Sequence, residues 1–153
     1  MLWLEDLPVG RVDRYGHCEV TREEVLDFAR RYDPQPFHLD DAAAEANPLF
    51  GRLAASGWHT AAMGMRMTAD YWAEQGGRSI LGGAGIDALR WLQPVYPGDA
   101  LRCEAEVLEA RPSESKPDRG VVRTRLTILN QRDEPVLRQE GIIMVRRRQP
   151  GQE

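Results

Sequence analysis

Apolar and polar positions change period along this chain, and each change marks an element. Val25, Phe28, Ala29 and Tyr32 recur at helical spacing, with Arg22, Glu23, Asp27, Arg30 and Arg31 mainly on the other faces. Thr21 with Glu24 three residues on reads as a capping box, and Asp33-Pro34 stops the run. Leu39-Asp40-Asp41, three alanines and Glu45-Ala46 predict a second, short helix ending at Asn47-Pro48. A third helix starts at Ser56-Gly57 and continues to about Gln75, where Gly76-Gly77 ends it. Its apolar residues, among them Trp58, Met63, Met65, Met67, Tyr71 and Trp72, lie on nearly all sides, which predicts burial all round. Gly57, Thr60, Ala61 and Gly64 leave one side open to close approach.

From there the period shortens to two. Residues 78–91 carry Ile80, Ala84 and Ile86 with glycines at 82, 83 and 85, a strand that is bent or closely approached. Leu101, Cys103, Ala105 and Val107 alternate strictly with polar residues; Val122, Thr124, Leu126 and Ile128 keep the period, and Leu137, Ile143 and Val145 follow it loosely. Residues 93–99, 111–119 and 130–135 are turn-rich connectors, and a weak early strand is predicted over 15–20. An antiparallel sheet with one apolar face needs a cover, and the third helix is the obvious one. The class is α+β.

Composition narrows the function. The chain has 153 residues and a formal net charge of -4. One domain over 1–153 is expected, long enough for a real core, with about 147–153 as a flexible tail. Outside Arg146-Arg147-Arg148 there is no basic cluster, which argues against nucleic acid. No apolar run reaches membrane-spanning length and Met1-Leu2-Trp3-Leu4-Glu5-Asp6 is no signal peptide, so a cytoplasmic location without membrane attachment is expected. Cys18 and Cys103 read as free structural thiols. The histidines at 17, 38 and 59 have no zinc-motif spacing, so no metal site is expected, and no Gly-rich phosphate loop occurs.

The chemistry concentrates in two segments. In Asp33-Pro34-Gln35-Pro36-Phe37-His38, two prolines fix their own φ and push Asp33 and Gln35 out of helical geometry. A stiff loop of this kind holds a carboxylate and an imidazole at a set separation, as a pair sharing one proton or one water requires. Whether Asp33 orients His38 or is itself the base stays open. At Ser56-Gly57, a helix start offers unpaired N–H groups and the positive end of a dipole, a place to stabilise a developing oxyanion. Trp58 and His59 follow at positions that can shape a pocket; the expectation is that Trp58 belongs to the core and His59 is a satisfied buried histidine.

Taken in order, three stretches resemble the MaoC-like acyl dehydratases, the family that includes the (R)-specific enoyl-CoA hydratases. They are Asp33 to His38, Phe50 to Thr60, and Arg90 to Asp99 with its Pro94-Val95-Tyr96-Pro97-Gly98 centre; the likeness runs from about Leu4 to Val145. The resemblance implies a hot-dog fold, an antiparallel sheet wrapped around a long central helix, and a homodimer or higher homo-oligomer. It implies that Asp33 and His38 hold and activate a water, that the Gly57 N–H binds a thioester oxygen, and that Gln35, Ser56, Trp58 and His59 position loop or substrate. The substrate would be an acyl-CoA or acyl-carrier thioester, bringing CoA or phosphopantetheine with it, with no separate cofactor and an (R)-3-hydroxy product. Many members have Gly before the aspartate, Asn two after it and His before the helix glycine, where this chain has Tyr32, Gln35 and Ser56. Two other functions stay open: a hot-dog thioesterase, disfavoured because the third helix has its first acids only at Asp70 and Glu74, and a non-catalytic acyl-thioester binder, disfavoured by the intact Asp33 and His38.

Overall fold

The computed structural model describes residues 2–77 and 79–149. Its strands are β1 (Val12–Glu19), β2 (Ile80–Trp91), β3 (Ala100–Pro112), β4 (Arg119–Leu129) and β5 (Pro135–Arg146). They form one antiparallel sheet in the order β1-β3-β4-β5-β2. Because β2 and β1 occupy opposite edges, the turn-rich residues 92–99 must carry the chain from the β2 edge back to β3. The helices are α1 (Arg22–Tyr32), α2 (Asp41–Ala46) and α3 (Gly57–Glu74).

The alternation in the strands produces two unlike faces. Leu101, Cys103, Val107, Val122, Leu126, Ile128, Leu137 and Val145 are buried and make the inner face. Fully burying a residue such as Leu101 or Ile128 stabilises the fold by about 1.5–3 kcal/mol. The alternate positions carry charge: Arg102 pairs with Glu104 at 2.8 Å, Arg123 with Glu140 at 3.1 Å and with Asp87 at 2.9 Å. Such exposed pairs contribute little to stability singly, and their main effect is to keep this face in water.

Helix α3 covers the inner face, lying chiefly over β1 and β3. A Cβ at Gly64 would collide with Ile128, so the glycine lets helix and sheet meet closely. Gly16, at φ +82°, plays the same part opposite Met67. This sheet and helix make the hot-dog arrangement expected from the sequence. Thr21 Oγ1 accepts from the Glu24 N–H at 3.3 Å and starts α1, whose Val25 and Ala29 are fully buried.

Several expectations need correction. α3 is not buried all round: His59, Thr60, Met63, Gly64, Met67 and Thr68 are buried, while Trp58 and Met65 are exposed. One sheet face covers one side of a helix and leaves the far side bare within this chain. Trp58 is therefore not core; it is 59 % exposed. The first strand starts earlier than predicted, at Val12, and β3 runs to Pro112, shortening the loop that follows. Position 78, the predicted start of β2, lies outside the described residues, and the strand begins at Ile80. The expected tail is held at its start: the Arg147 N–H donates to the Asp118 carbonyl at 2.8 Å, Arg147 pairs with Glu5 at 3.1 Å and Arg148 with Asp6. Residues 150–153 lie outside the described residues.

Both cysteines are free. Cys103 is fully buried, and its burial pushes the thiol up to about 12.

Gly64→Val should lower the unfolding free energy by about 1–3 kcal/mol, because the added atoms overpack the Ile128 side of the core. Urea denaturation measures it; wild-type stability in the variant would show that α3 is not seated on Ile128.

Candidate active site

Helix α1 delivers Asp33. The Asp33 N–H still donates to the Ala29 carbonyl at 3.0 Å, but its backbone has left helical geometry, as the following proline requires. Residues Pro36–His38 then make one turn of 3-10 helix, a detail the sequence did not disclose, with Pro36 at its start. That turn swings His38 inward. Its ring is 4 % exposed and packed by Phe37, 4.6 Å away edge-on, and Phe50, 5.5 Å away.

His38 Nδ1 lies 2.8 Å from the Ala54 carbonyl oxygen. A carbonyl only accepts, so Nδ1 carries the proton and a neutral ring presents a bare lone pair at Nε2. Nε2 is 3.5 Å from Asp33 Oδ2. Two acceptors facing each other at that separation suit a water donating one proton to each. The Asp33 side chain is 15 % exposed. Its Oδ1 accepts from Gln35 Nε2 at 2.7 Å and its Oδ2 from Ser56 Oγ at 2.6 Å. Burial by itself raises the Asp33 pKa, yet the Ser56 and Gln35 hydrogen bonds and the nearby His38 outweigh it and the net direction is down.

Ser56 is the cap of α3: the Trp58 N–H donates to its Oγ at 3.3 Å and the Thr60 N–H to its carbonyl at 3.1 Å. Ser56 has no exposed surface and sits behind Asp33. Gly57 opens the helix on a cleft of about 450 Å³ that it lines together with Asp33, Gln35, His38, Trp58 and Trp91. Within the described residues its N–H makes no hydrogen bond outside the helix, so the positive end of α3 faces the cleft. A Cβ at Gly57 would lie 2.5 Å from the Trp91 indole and would have to displace that ring, which also meets Trp58 edge-on at 5.0 Å.

The structure therefore brings Asp33, Gln35, His38, Ser56, Gly57 and Trp58 to one place, and leaves His59 out. His59 points the other way and stacks on Phe28 of α1 at 4.8 Å. It is 7 % exposed as expected, but Nδ1 meets no hydrogen-bond partner among the described residues. Desolvation lowers its pKa, opposed by Glu24. Trp91 and Thr60, to which the sequence pattern alone assigns no role, also line the cleft. Trp91 sits beside Arg90 in a stretch already singled out, and that was the available signal. Among the described residues, no group of three or more His, Cys, Asp or Glu is arranged to hold a metal ion, and no helix is long and apolar enough to cross a membrane.

Comparison with known proteins places the fold in a family. The family described as MaoC like domain matches residues 8–128, and the chain belongs to it. A MaoC-like dehydratase from Rhodospirillum rubrum is 43 % identical, with a TM-score of 0.87 over 97 % of this chain and 99 % of that one. The (R)-hydratase PhaJ1 from Pseudomonas aeruginosa is 29 % identical, TM-score 0.73, covering 95 % of this chain and 86 % of that one. A mesaconyl-CoA hydratase from Cereibacter sphaeroides is 46 % identical over 59 residues, 39 % of this chain and 17 % of that protein's length.

The His59 environment makes a pH prediction. Its folded pKa lies below the ordinary value near ~6.5, so the unfolded chain binds the proton more readily. The stability this residue contributes is complete above ~6.5 and is lost as pH falls toward the folded value. In urea titrations between pH 7.5 and about 5, the wild type should lose more stability than His59→Leu. Parallel curves would show that His59 is not held neutral.

Proposed function

We propose that this protein is a hydro-lyase that adds water reversibly across the double bond of a 2-enoyl-CoA, or of the same acyl group on a carrier protein, giving a 3-hydroxyacyl thioester. The observation that carries the reading is the 3.5 Å gap between His38 Nε2 and Asp33 Oδ2, opening on the cleft that the start of α3 also faces. Hydration needs a base for water, a proton for Cα and a fixed donor for the charge that builds on the thioester oxygen.

The residues divide that work as follows. Water donates to His38 Nε2 and Asp33 Oδ2 and attacks Cβ; its proton passes to Nε2 as the carbon–oxygen bond forms. The π electrons move onto the thioester oxygen, which the Gly57 N–H and the α3 dipole stabilise. The imidazolium, held next to the Asp33 carboxylate, then returns the proton to Cα, and no atom is left over. Dehydration is the same path reversed. Gln35 and Ser56 hold Asp33, and Trp58 with Trp91 walls the cleft where the thioester enters. A volume of about 450 Å³ is in the range of small-molecule sites. CoA or phosphopantetheine arrives with the substrate, and no other cofactor is needed. The hydratase names borne by the relatives support this assignment, and the (R)-hydratase neighbours favour an (R)-3-hydroxy product.

A thioesterase finds less support. The first acid on α3, Asp70, is exposed and paired with Arg66 at 2.9 Å, far along the helix from the cleft.

The working unit we propose is a cytoplasmic homodimer joined along β2. Among the described residues that edge strand has no partner on its outer side, and it exposes Ile86, 57 %, and Trp91, 46 %. At Gly83 and Gly85 a Cβ would meet nothing within 4 Å of this chain, so the space is free for a second copy.

Purified protein should consume the conjugated-enoyl absorbance of a 2-enoyl-CoA panel without releasing thiol. Asp33→Asn should cut that rate about 10²–10⁴-fold and leave the melting temperature nearly unchanged. A fully active variant would remove this chemistry, and thiol release would move the reading to thioesterase. Light scattering should give a two-chain particle that Ile86→Asp converts to single chains; a single-chain wild type would refute the β2 pairing.

A further inference from the structure

Asp33 and His38 are both able to take a proton, and the hydrogen bonds around Asp33 separate their duties. We propose that Ser56 and Gln35 are positioning residues that clamp both oxygens of Asp33, keeping it an oriented anion, so that the proton of the attacking water goes to His38 Nε2. The proposal rests on the hydration reading above and goes further, giving two side chains a defined effect on a third.

The Ser56 hydroxyl has one proton to give. The Trp58 N–H donates into its oxygen at 3.3 Å, and Asp33 Oδ2 is the acceptor 2.6 Å away. Ser56 is fully buried, so no water offers an alternative. An O–H···O⁻ bond of that length lies in the charge-assisted range. If Asp33 were protonated on Oδ2, the serine proton would keep only a neutral acceptor and the bond would lose its charge assistance, which opposes that protonation. On the other side, Gln35 Nε2 donates to Oδ1 at 2.7 Å, and this bond too is stronger to the anion than to the neutral acid.

His38 is built the opposite way. Its Nδ1 proton is committed to the Ala54 carbonyl, and Nε2 receives no hydrogen bond from any described residue. An imidazolium formed there lies 3.5 Å from an anion that cannot move away. The clamp is also coupled to the far end of the reaction, since Ser56 immediately precedes Gly57. The peptide that carries the Asp33 clamp adjoins the N–H proposed for the thioester oxygen, so base and oxyanion donor keep one spacing.

The test is a titration that needs no turnover. Protein carrying ¹³C-labelled aspartate carboxyls would be titrated by NMR as wild type, Ser56→Ala and Gln35→Ala, with the Asp33 signal identified from Asp33→Asn. The Asp33 midpoint should rise in both variants; a midpoint unchanged in both overturns the clamp. Gln35 is exposed, so Gln35→Ala carries the test if Ser56→Ala fails to fold. In wild-type kinetics the acid limb of kcat/KM should coincide with the ¹⁵N titration of His38, and a limb that follows the Asp33 midpoint instead overturns the proton assignment. Absence of turnover on every enoyl thioester would refute the hydratase reading and with it the proton's destination, while the NMR arm would still decide the clamp.

Discussion

The hydrogen bond between His38 Nδ1 and the Ala54 carbonyl joins two stretches of chain that the rest of the site depends on. One leaves α1 through Asp33 and the 3-10 turn; the other runs into α3 through Ala55 and Ser56. Remove the bond and the imidazole loses its tautomer, its tilt and its register against Asp33 together. The turn of residues 93–99 reinforces the same junction, because the Ala55 N–H donates to Val95 at 2.8 Å and the Tyr96 hydroxyl to Phe50 at 2.6 Å. Backbone carbonyls and amides do most of this holding. The site is therefore rigid for the reason secondary structure is rigid, with few long side chains to order.

Packing sets the other half of the geometry. Gly57 and Gly64 lie two turns apart on α3, and each is small because a particular neighbour occupies the space: Trp91 at the first, Ile128 at the second. The first fixes how the cleft is roofed, and the second fixes the height of the helix above the sheet. The distance between the start of α3 and the strands is thus set at two points on one rigid cylinder.

Much of this was legible in the residues. The two prolines between Asp33 and His38 announced a stiff loop, and Ser56-Gly57 announced a helix start. The strict alternation of Leu101 to Val107 announced one wet and one dry sheet face. What stayed hidden depends on contacts between distant positions. Nothing near Trp58 says that one sheet covers only the opposite side of its helix. Nothing near His59 says that its ring stacks on Phe28, thirty-one positions earlier. The bond from Ser56 to Asp33 spans 23 residues, and neither residue alone reveals it.

The buried cysteine has a consequence of its own. Enoyl thioesters are electrophiles, and a thiolate within reach adds to them or exchanges with them; the reactive species is the thiolate and not the thiol. With Cys103 pushed up to about 12 by burial, the thiol stays protonated at neutral pH. Burial raises Cys18 as well, with Glu24 adding to it. The low polarity of the core that holds the sheet together thus also keeps the Cys103 thiol in its unreactive form.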